Sequence, residues 1–479
     1  MARRKKKPLP LFENIEIIDA GAEGKAVARV NEKVLFVPFA APGDVVDVQV
    51  YKKKRHFLEG HIVKIKRPSE YRVEPKCTHF GLCGGCKWQH IDYAFQKVFK
   101  QKQVKDSLDR IAKVPYPEIN EIIGSDNIYF YRNKLEFTFS NRKWLTSDDP
   151  MSPEGEKLET RGLGFHLPGR FDKILDIDKC YLQKDPSNDI RLAVKKFAIE
   201  NDFSFYNARE QHGLLRNMII RTSTTGDLMV VMVFGETNEK AIAMILDHLA
   251  ERFPQITSLM YVVNTKKNDS IYDLEAILFK GKDHNLEVMQ PARPGRKPLY
   301  FKVGPKSFYQ TNPEQAQKLY QTAHDFAGFN GNELVYDLYT GTGTIALFIA
   351  PSVKKVVGIE SVGEAVRDAR KNALENGIEN VEFHEGDMAA LLNEAFVDRH
   401  GKPDVLLTDP PRAGMHPKVV QQIMQTAPEK IVYVSCNPAT QARDLHLMDE
   451  KYRIAKVQPV DMFPQTHHVE NVVLLVRKS

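Results

Sequence analysis

The sequence predicts a multidomain α/β protein: a small N-terminal β-barrel, a central α+β domain and a C-terminal doubly wound domain. Three observations predict it. Residues 11–68 carry short Val- and Ile-rich runs punctuated by Gly and Pro. Residues 125–300 read mostly as strands. From about 313 strand-like and helical runs alternate, the mark of a mostly parallel sheet. A chain of 479 residues has room for about three domains of roughly 150 residues each, and can bury ordinary cores without disulfides.

In the first segment, "NIEIID", "KAVARV", "KVLFVPF", "DVVDVQVY" and "EGHIVKIK" are the strands, with "APGD" at 41–44 as a turn. Small barrels often bind nucleic acid on one face. The charge agrees. Residues 1–67 hold 15 Lys/Arg against 8 Asp/Glu, whereas the other 412 residues are close to balance. "RRKKK" alone fits a solubilising tail as well as a polyanion contact, but "KKKRH" at 52–56 tips the segment towards nucleic acid.

Of five cysteines, three crowd into "CTHFGLCGGC": Cys77, Cys83 and Cys86. This is no secreted disulfide framework. Three thiolates are one short of a tetrahedral metal site or an iron–sulfur cluster, and either Cys180 or Cys436 could supply the fourth. The basic start leads into no apolar run of signal-peptide length, and no stretch nears the roughly 18 apolar residues of a membrane span. The expectation is a soluble, cytoplasmic protein.

The middle region opens on a Lys-rich helix over 93–112. The strands "YRNKLEFTFS", "LRNMIIRTST", "DLMVVMVFG", "SLMYVVN" and "YDLEAILFKG" follow, with a polar loop at 141–162 and an amphipathic helix at 238–253.

In the C-terminal region "DLYTGTGTIA" (337–346) lies where the first strand turns into the first helix. Gly341 and Gly343 permit the tight turn and close approach of a ligand. Glu360 ends the next strand, where a carboxylate can accept from a ribose diol, and Asp387 follows the third. NAD and S-adenosylmethionine both fit this much. "LLTDPPR" puts Asp409 and two prolines at the end of the fourth strand, and "YVSCNP" puts Cys436 at the end of the fifth. A dehydrogenase needs neither. An acid before a stiff Pro-Pro suits a methyltransferase that holds a flat base beside the methyl donor.

Cys436 precedes the helix suggested by "ATQARDLHLMDE", whose N-terminus or a nearby cation can lower a thiol pKa from about 8.5; the competing reading is a small core residue. In "MFPQTHHVENVVLLV", Glu470 enters a strongly apolar strand and is a general-base candidate, although charges before strands are commonly solvated. His467 and His468 make a poor metal pair, since neighbouring side chains on a strand diverge. One thiol, one carboxylate and one methyl donor are what uracil C5 methylation requires. Thiolate addition to C6 makes C5 an enolate carbon, and a base then removes the C5 proton.

With these motifs the chain resembles the RNA 5-methyluridine methyltransferases of the TrmA/RumA type over nearly its whole length. Within that family it is most similar to the enzymes acting on 23S ribosomal RNA. C-x5-C-G-G-C, "SFYQTN", "DPPRAG", "VSCNPAT" and "MFPQTHHVE" carry the resemblance. It implies a TRAM (OB-like) RNA-binding barrel with a basic tail at 1–68. A central domain with an iron–sulfur site follows at 69–300, then a Rossmann-like class I methyltransferase domain at 301–479. It further implies Cys436 as nucleophile, Glu470 as base and Phe308 near the flipped base. Gln310, Tyr339, Gly341, Gly343, Thr344, Glu360, Asp387 and Asp409 would line the S-adenosylmethionine site. Cys77, Cys83, Cys86 and Cys180 would hold a [4Fe–4S] cluster, with zinc as the alternative.

Ribosomal RNA is the expected partner, because bacterial tRNA enzymes of the family look shorter and lack the barrel and cysteine cluster; tRNA or several RNA uridines is the alternative. The protein is expected to be a monomer with no membrane and no obligate protein partner. Tyr339, Thr340 and Thr344 stand where such enzymes often show Phe, Cys and Asn. An iron–sulfur redox enzyme with a dinucleotide cofactor and a non-catalytic RNA-binding factor are the readings from other classes.

Overall fold

The structure, a computed structural model, describes residues 9–146 and 159–479. "RRKKK" and the middle of the polar stretch at 141–162 lie outside the described residues.

The N-terminal sheet has six strands, the expected five plus the two-residue Asp19–Ala20. Numbered in chain order they lie 1-5-6-4-3-2. Alternation does the work: Lys25–Val30 turns Ala26, Ala28 and Val30 inward and Arg29 outward. Leu35, Val37, Val46, Val48 and Leu58 join a core drawn from this N-terminal segment alone, so the sheet curls on itself to bury it.

The central sheet runs Ile277–Gly281, Ser258–Val263, Leu228–Phe234, Leu215–Thr222, Lys134–Ser140, Gly162–His166, Ile174–Asp176 from edge to edge. Helices Ser187–Glu200 and Glu239–Arg252 cover one face through Ile190, Val194, Ile242, Ile245 and Leu249.

The third sheet comprises Leu334–Leu338, Lys355–Glu360, Val381–Glu385, Val405–Thr408, Lys430–Ser435, Tyr452–Val460 and Glu470–Arg477, in the order 3-2-1-4-5-7-6. The first five strands are parallel and the seventh inserts antiparallel beside the fifth. Two cores, one on each face, bury it between helices.

Two segments before residue 300 pack with this third sheet. In the hairpin Asn285–Met289/Leu299–Val303, Met289, Leu299, Phe301 and Val303 join its core, so a boundary at 300 falls inside a strand. The Lys-rich helix is α-helical over Tyr93–Ser107 and ends in a π turn, Leu108–Ala112; Val104 and Leu108 enter the core on the other face. Among the described residues no helix is long and apolar enough to cross a membrane.

Candidate active site

The C-terminal ends of the parallel strands meet along one edge. After Leu334–Leu338 the backbone turns through Tyr339, Gly341 and Gly343, all at positive φ. A Cβ on Gly343 (φ 80) would lie 3.0 Å from the Phe383 ring and 3.1 Å from Ala369 of the helix Gly363–Glu375, so both the backbone conformation and the close packing favour glycine. At Gly341 (φ 58) the space beyond is open, and the requirement is conformational. The Gly341 N–H donates to Glu360 Oε2 (3.1 Å) and the Val362 N–H to Oε1 (2.9 Å), which fix this carboxylate at the lip of the turn. Asp337 is buried beneath, accepts from the Thr340 hydroxyl (2.5 Å), and is pushed up to about 7 by burial. Thr344 opens the helix Thr344–Ile349, and its hydroxyl lies 3.3 Å from that of Thr342. Asp387 is exposed and caps the next helix, accepting from the Ala390 N–H. Gln310 reaches this edge on the segment before helix Pro313–Ala327, where its carbonyl accepts from Asn133 (3.1 Å). Phe308 beside it is 67% exposed, an unusual state for so large an apolar ring.

Register brings Cys436 and Glu470, the candidate nucleophile and base, together. Ser435 pairs with Asn471 and Val434 with Val472, so the next step sets Cys436 opposite Glu470. Asn437 caps the helix Pro438–Met448 and donates to the Arg412 carbonyl (3.0 Å), which binds the "DPPR" loop to this turn. Burial, then the neighbouring Glu470 and Asp409 carboxylates, push the Cys436 thiol up to about 11. A nearby cation can lower a thiol, and Arg412 does so here, but burial and the two acids outweigh it. Burial also drives Glu470 well above the usual carboxylate range, with Asp409 adding to it and Arg412 opposing. Asp409 is pushed up to about 7 by burial. Arg412, two residues beyond the quoted Asp-Pro, is thus the cation of this pair, a role its sequence position alone did not reveal.

The turn before Glu470 is held from outside the third sheet. Lys87 and Trp88 N–H groups both donate to the Gln465 carbonyl (2.9 and 3.0 Å), and Gln96 exchanges bonds with Gln465. Tyr131 donates to the Pro464 carbonyl (2.9 Å), and Lys100 to Asp461 and the Phe463 carbonyl. His467 and His468 lie in this turn, not on the strand, with ring centroids 4.1 Å apart. Burial, and the cations around them, lower both below the usual histidine range.

Cys77, Cys83, Cys86 and Cys180 are all free thiols, and together they line a cavity of about 350 Å³. Burial, with contributions from the other thiols, pushes Cys86 up to about 12 and Cys180 to about 11. The Asp178 N–H donates to His79 (2.9 Å), and Lys76 sits 5.0–5.2 Å from the rings of Tyr129, Phe130 and Tyr181, which joins the two cysteine-bearing segments. Four convergent thiols fit a thiophilic centre. Among the described residues the group of three potential ligand atoms lying within 4.8 Å of one another is Glu382, His384 and His400; the four sulfurs are spread more widely.

Residues 281–478 match the tRNA (uracil-5-)-methyltransferase family, and residues 13–63 match the TRAM domain. A protein of Bacteroides thetaiotaomicron described as an RNA methyltransferase is 55% identical over 95% of this chain and 99% of its own length. One of Porphyromonas gingivalis with the same description is 54% identical over 97% and 100%. Among solved structures, the Pyrococcus abyssi tRNA (uracil-54, C5)-methyltransferase in complex with S-adenosyl-L-homocysteine superposes with a TM-score of 0.72 at 29% identity, covering 96% of this chain and all of that one.

Proposed function

Since the chain belongs to the RNA uracil-C5 methyltransferases, which use S-adenosylmethionine, we propose that it methylates C5 of a uridine in 23S ribosomal RNA with Cys436 as nucleophile and Glu470 as base. The observation that carries this is the register setting Cys436 opposite Glu470 at the edge where the Gly341–Gly343 turn ends.

S-adenosylmethionine, when bound, supplies an electrophilic methyl group. Gln310, Tyr339, Gly341, Gly343, Thr344, Glu360, Asp387 and Asp409 would hold it, Glu360 being already fixed by two backbone N–H groups. The Cys436 thiol releases its proton to solvent, its sulfur bonds to C6 of the uracil, and the electron pair of the C5–C6 double bond moves to C5. Once C5 has been methylated, Glu470 takes the C5 proton, the C5–C6 double bond re-forms, and the sulfur leaves. Phe308 would face the flipped base, which must leave its stack to expose C6.

The four-thiol cavity suits a [4Fe–4S] cluster better than zinc. Tetrahedral zinc with Zn–S of about 2.3 Å needs all four sulfurs roughly 3.8 Å apart, whereas no three of these lie within 4.8 Å of one another. The cluster's part is to staple the fold, since no step above requires an electron.

The likeness to a tRNA (uracil-54, C5)-methyltransferase along its full length favours tRNA as the second reading, because overall architecture does not separate the two substrates. Labelled S-adenosylmethionine offered with unmodified 23S ribosomal RNA and, separately, tRNA decides. Label on uridine C5 of the ribosomal RNA, lost in Cys436→Ala, is expected. Label on tRNA alone replaces the substrate, and label on neither overturns the assignment.

A further inference from the structure

Strand Lys134–Ser140 pairs antiparallel with Leu215–Thr222, and in that register Lys134 lies directly opposite Arg221. Like charges facing each other across a sheet are destabilising. Here they are also poorly compensated. Among the described residues the Lys134 ammonium makes no ion pair or hydrogen bond, and the charges that act on it are Arg221, Glu136 and Arg132. Arg221 is 5% exposed; it donates one N–H to the Ser307 carbonyl (2.8 Å), while its buried Nε has no partner. Arg132, two residues before Lys134, likewise has a buried Nε without a partner, and its guanidinium stacks 5.5 Å from the Phe463 ring. Burial lowers the Lys134 ammonium below the usual lysine range, with Arg221 and Arg132 adding to it and Glu136 opposing. The other near acid, Glu287, is engaged with Thr224 and Asn133.

Position gives the crowd a purpose. Asn133, between Arg132 and Lys134, donates to the carbonyls of Thr311 (2.8 Å) and Gln310 (3.1 Å). Arg221 holds the residue before Phe308, and Arg132 lies against the turn that leads to Glu470. Three under-partnered cations therefore stand where the central sheet meets the Phe308 segment and the catalytic turn. A base drawn in at Phe308 leaves its phosphates outside the pocket, and phosphate contacts fix register without reading sequence.

We propose that Arg132, Lys134 and Arg221 form a binding site for an RNA phosphodiester next to the target uridine. This rests on the reading of the site as an RNA methyltransferase, but its test needs no methyl transfer. Binding of a short single-stranded, uridine-containing RNA is measured by fluorescence anisotropy over a salt series. Lys134→Met is expected to weaken binding about tenfold, the scale of a hydrogen bond to a charged group. The slope of log affinity against log salt should fall by about 0.7, one phosphate on a single strand, and Lys134→Arg should restore both. Because the repulsion with Arg221 is relieved, RNA-free Lys134→Met should melt higher than the native protein. Unchanged RNA affinity and slope, or a variant that loses only S-adenosylmethionine affinity, overturns the site. A native protein that binds RNA with this lysine-dependent slope yet methylates no uridine would leave the site standing and overturn the reaction instead.

Discussion

The Lys100 ammonium lies 2.6 Å from the Asp461 carboxylate, and solvent reaches neither. Burial lowers the lysine's affinity for its proton, and the aspartate opposes that. Breaking one side of such a pair leaves an uncompensated buried charge, at a cost of about 3–5 kcal/mol. Lys100→Met is expected to lose that much in urea unfolding, and Lys100→Met/Asp461→Leu to recover most of it. A single variant as stable as the native protein would mean the pair does not anchor the turn before Glu470.

Cys436→Ala should form no adduct with RNA, whereas Glu470→Gln should stall after methyl transfer. On denaturing gels Glu470→Gln is expected to show protein covalently joined to RNA, with turnover down about 10²–10⁴-fold, the range for a lost general base. Free turnover by Glu470→Gln would remove it from the mechanism.

The Cys436 thiol is pushed up to about 11 by burial and by the Glu470 and Asp409 carboxylates. At neutral pH it is protonated, so adduct formation with 5-fluorouridine RNA should quicken with pH, by about tenfold per unit while the thiolate fraction limits it. Arg412 holds the thiol down. Arg412→Ala should therefore shift the profile to higher pH and slow the adduct at any fixed pH below the new thiol pKa. A profile that stays in place would show that Arg412 does not act on the sulfur.

Protein purified without air should be brown and carry iron and sulfide. Cys180→Ser should lose both and melt lower, since metal binding free energy is folding free energy. A colourless protein with one zinc would replace the cluster.

Strand–helix alternation made the third sheet legible, because parallel strands buried on both faces leave continuous apolar runs such as "KIVYV" and "NVVLLV". Cys436 does stand one residue past its strand, and Glu470 opens the last one. What the sequence could not carry is register: the seventh strand inserts beside the fifth, out of chain order, and only this makes Cys436 and Glu470 neighbours. Lys100 was unreadable for another reason. Gln96, Lys100 and Val104 share one helical stripe that is buried, yet a lysine in a Lys-rich helix reads as solvated until its partner from Asp461 is in place.

The Trp88 indole donates to the Gly24 carbonyl (3.4 Å), and its backbone N–H to Gln465. One residue thus joins the first barrel, the cysteine segment and the catalytic turn. Such a molecule resists modular inheritance. A recombination event that brought in a foreign barrel would have to present a carbonyl to the Trp88 indole as well, so barrel and cysteine segment are expected to be inherited or lost together.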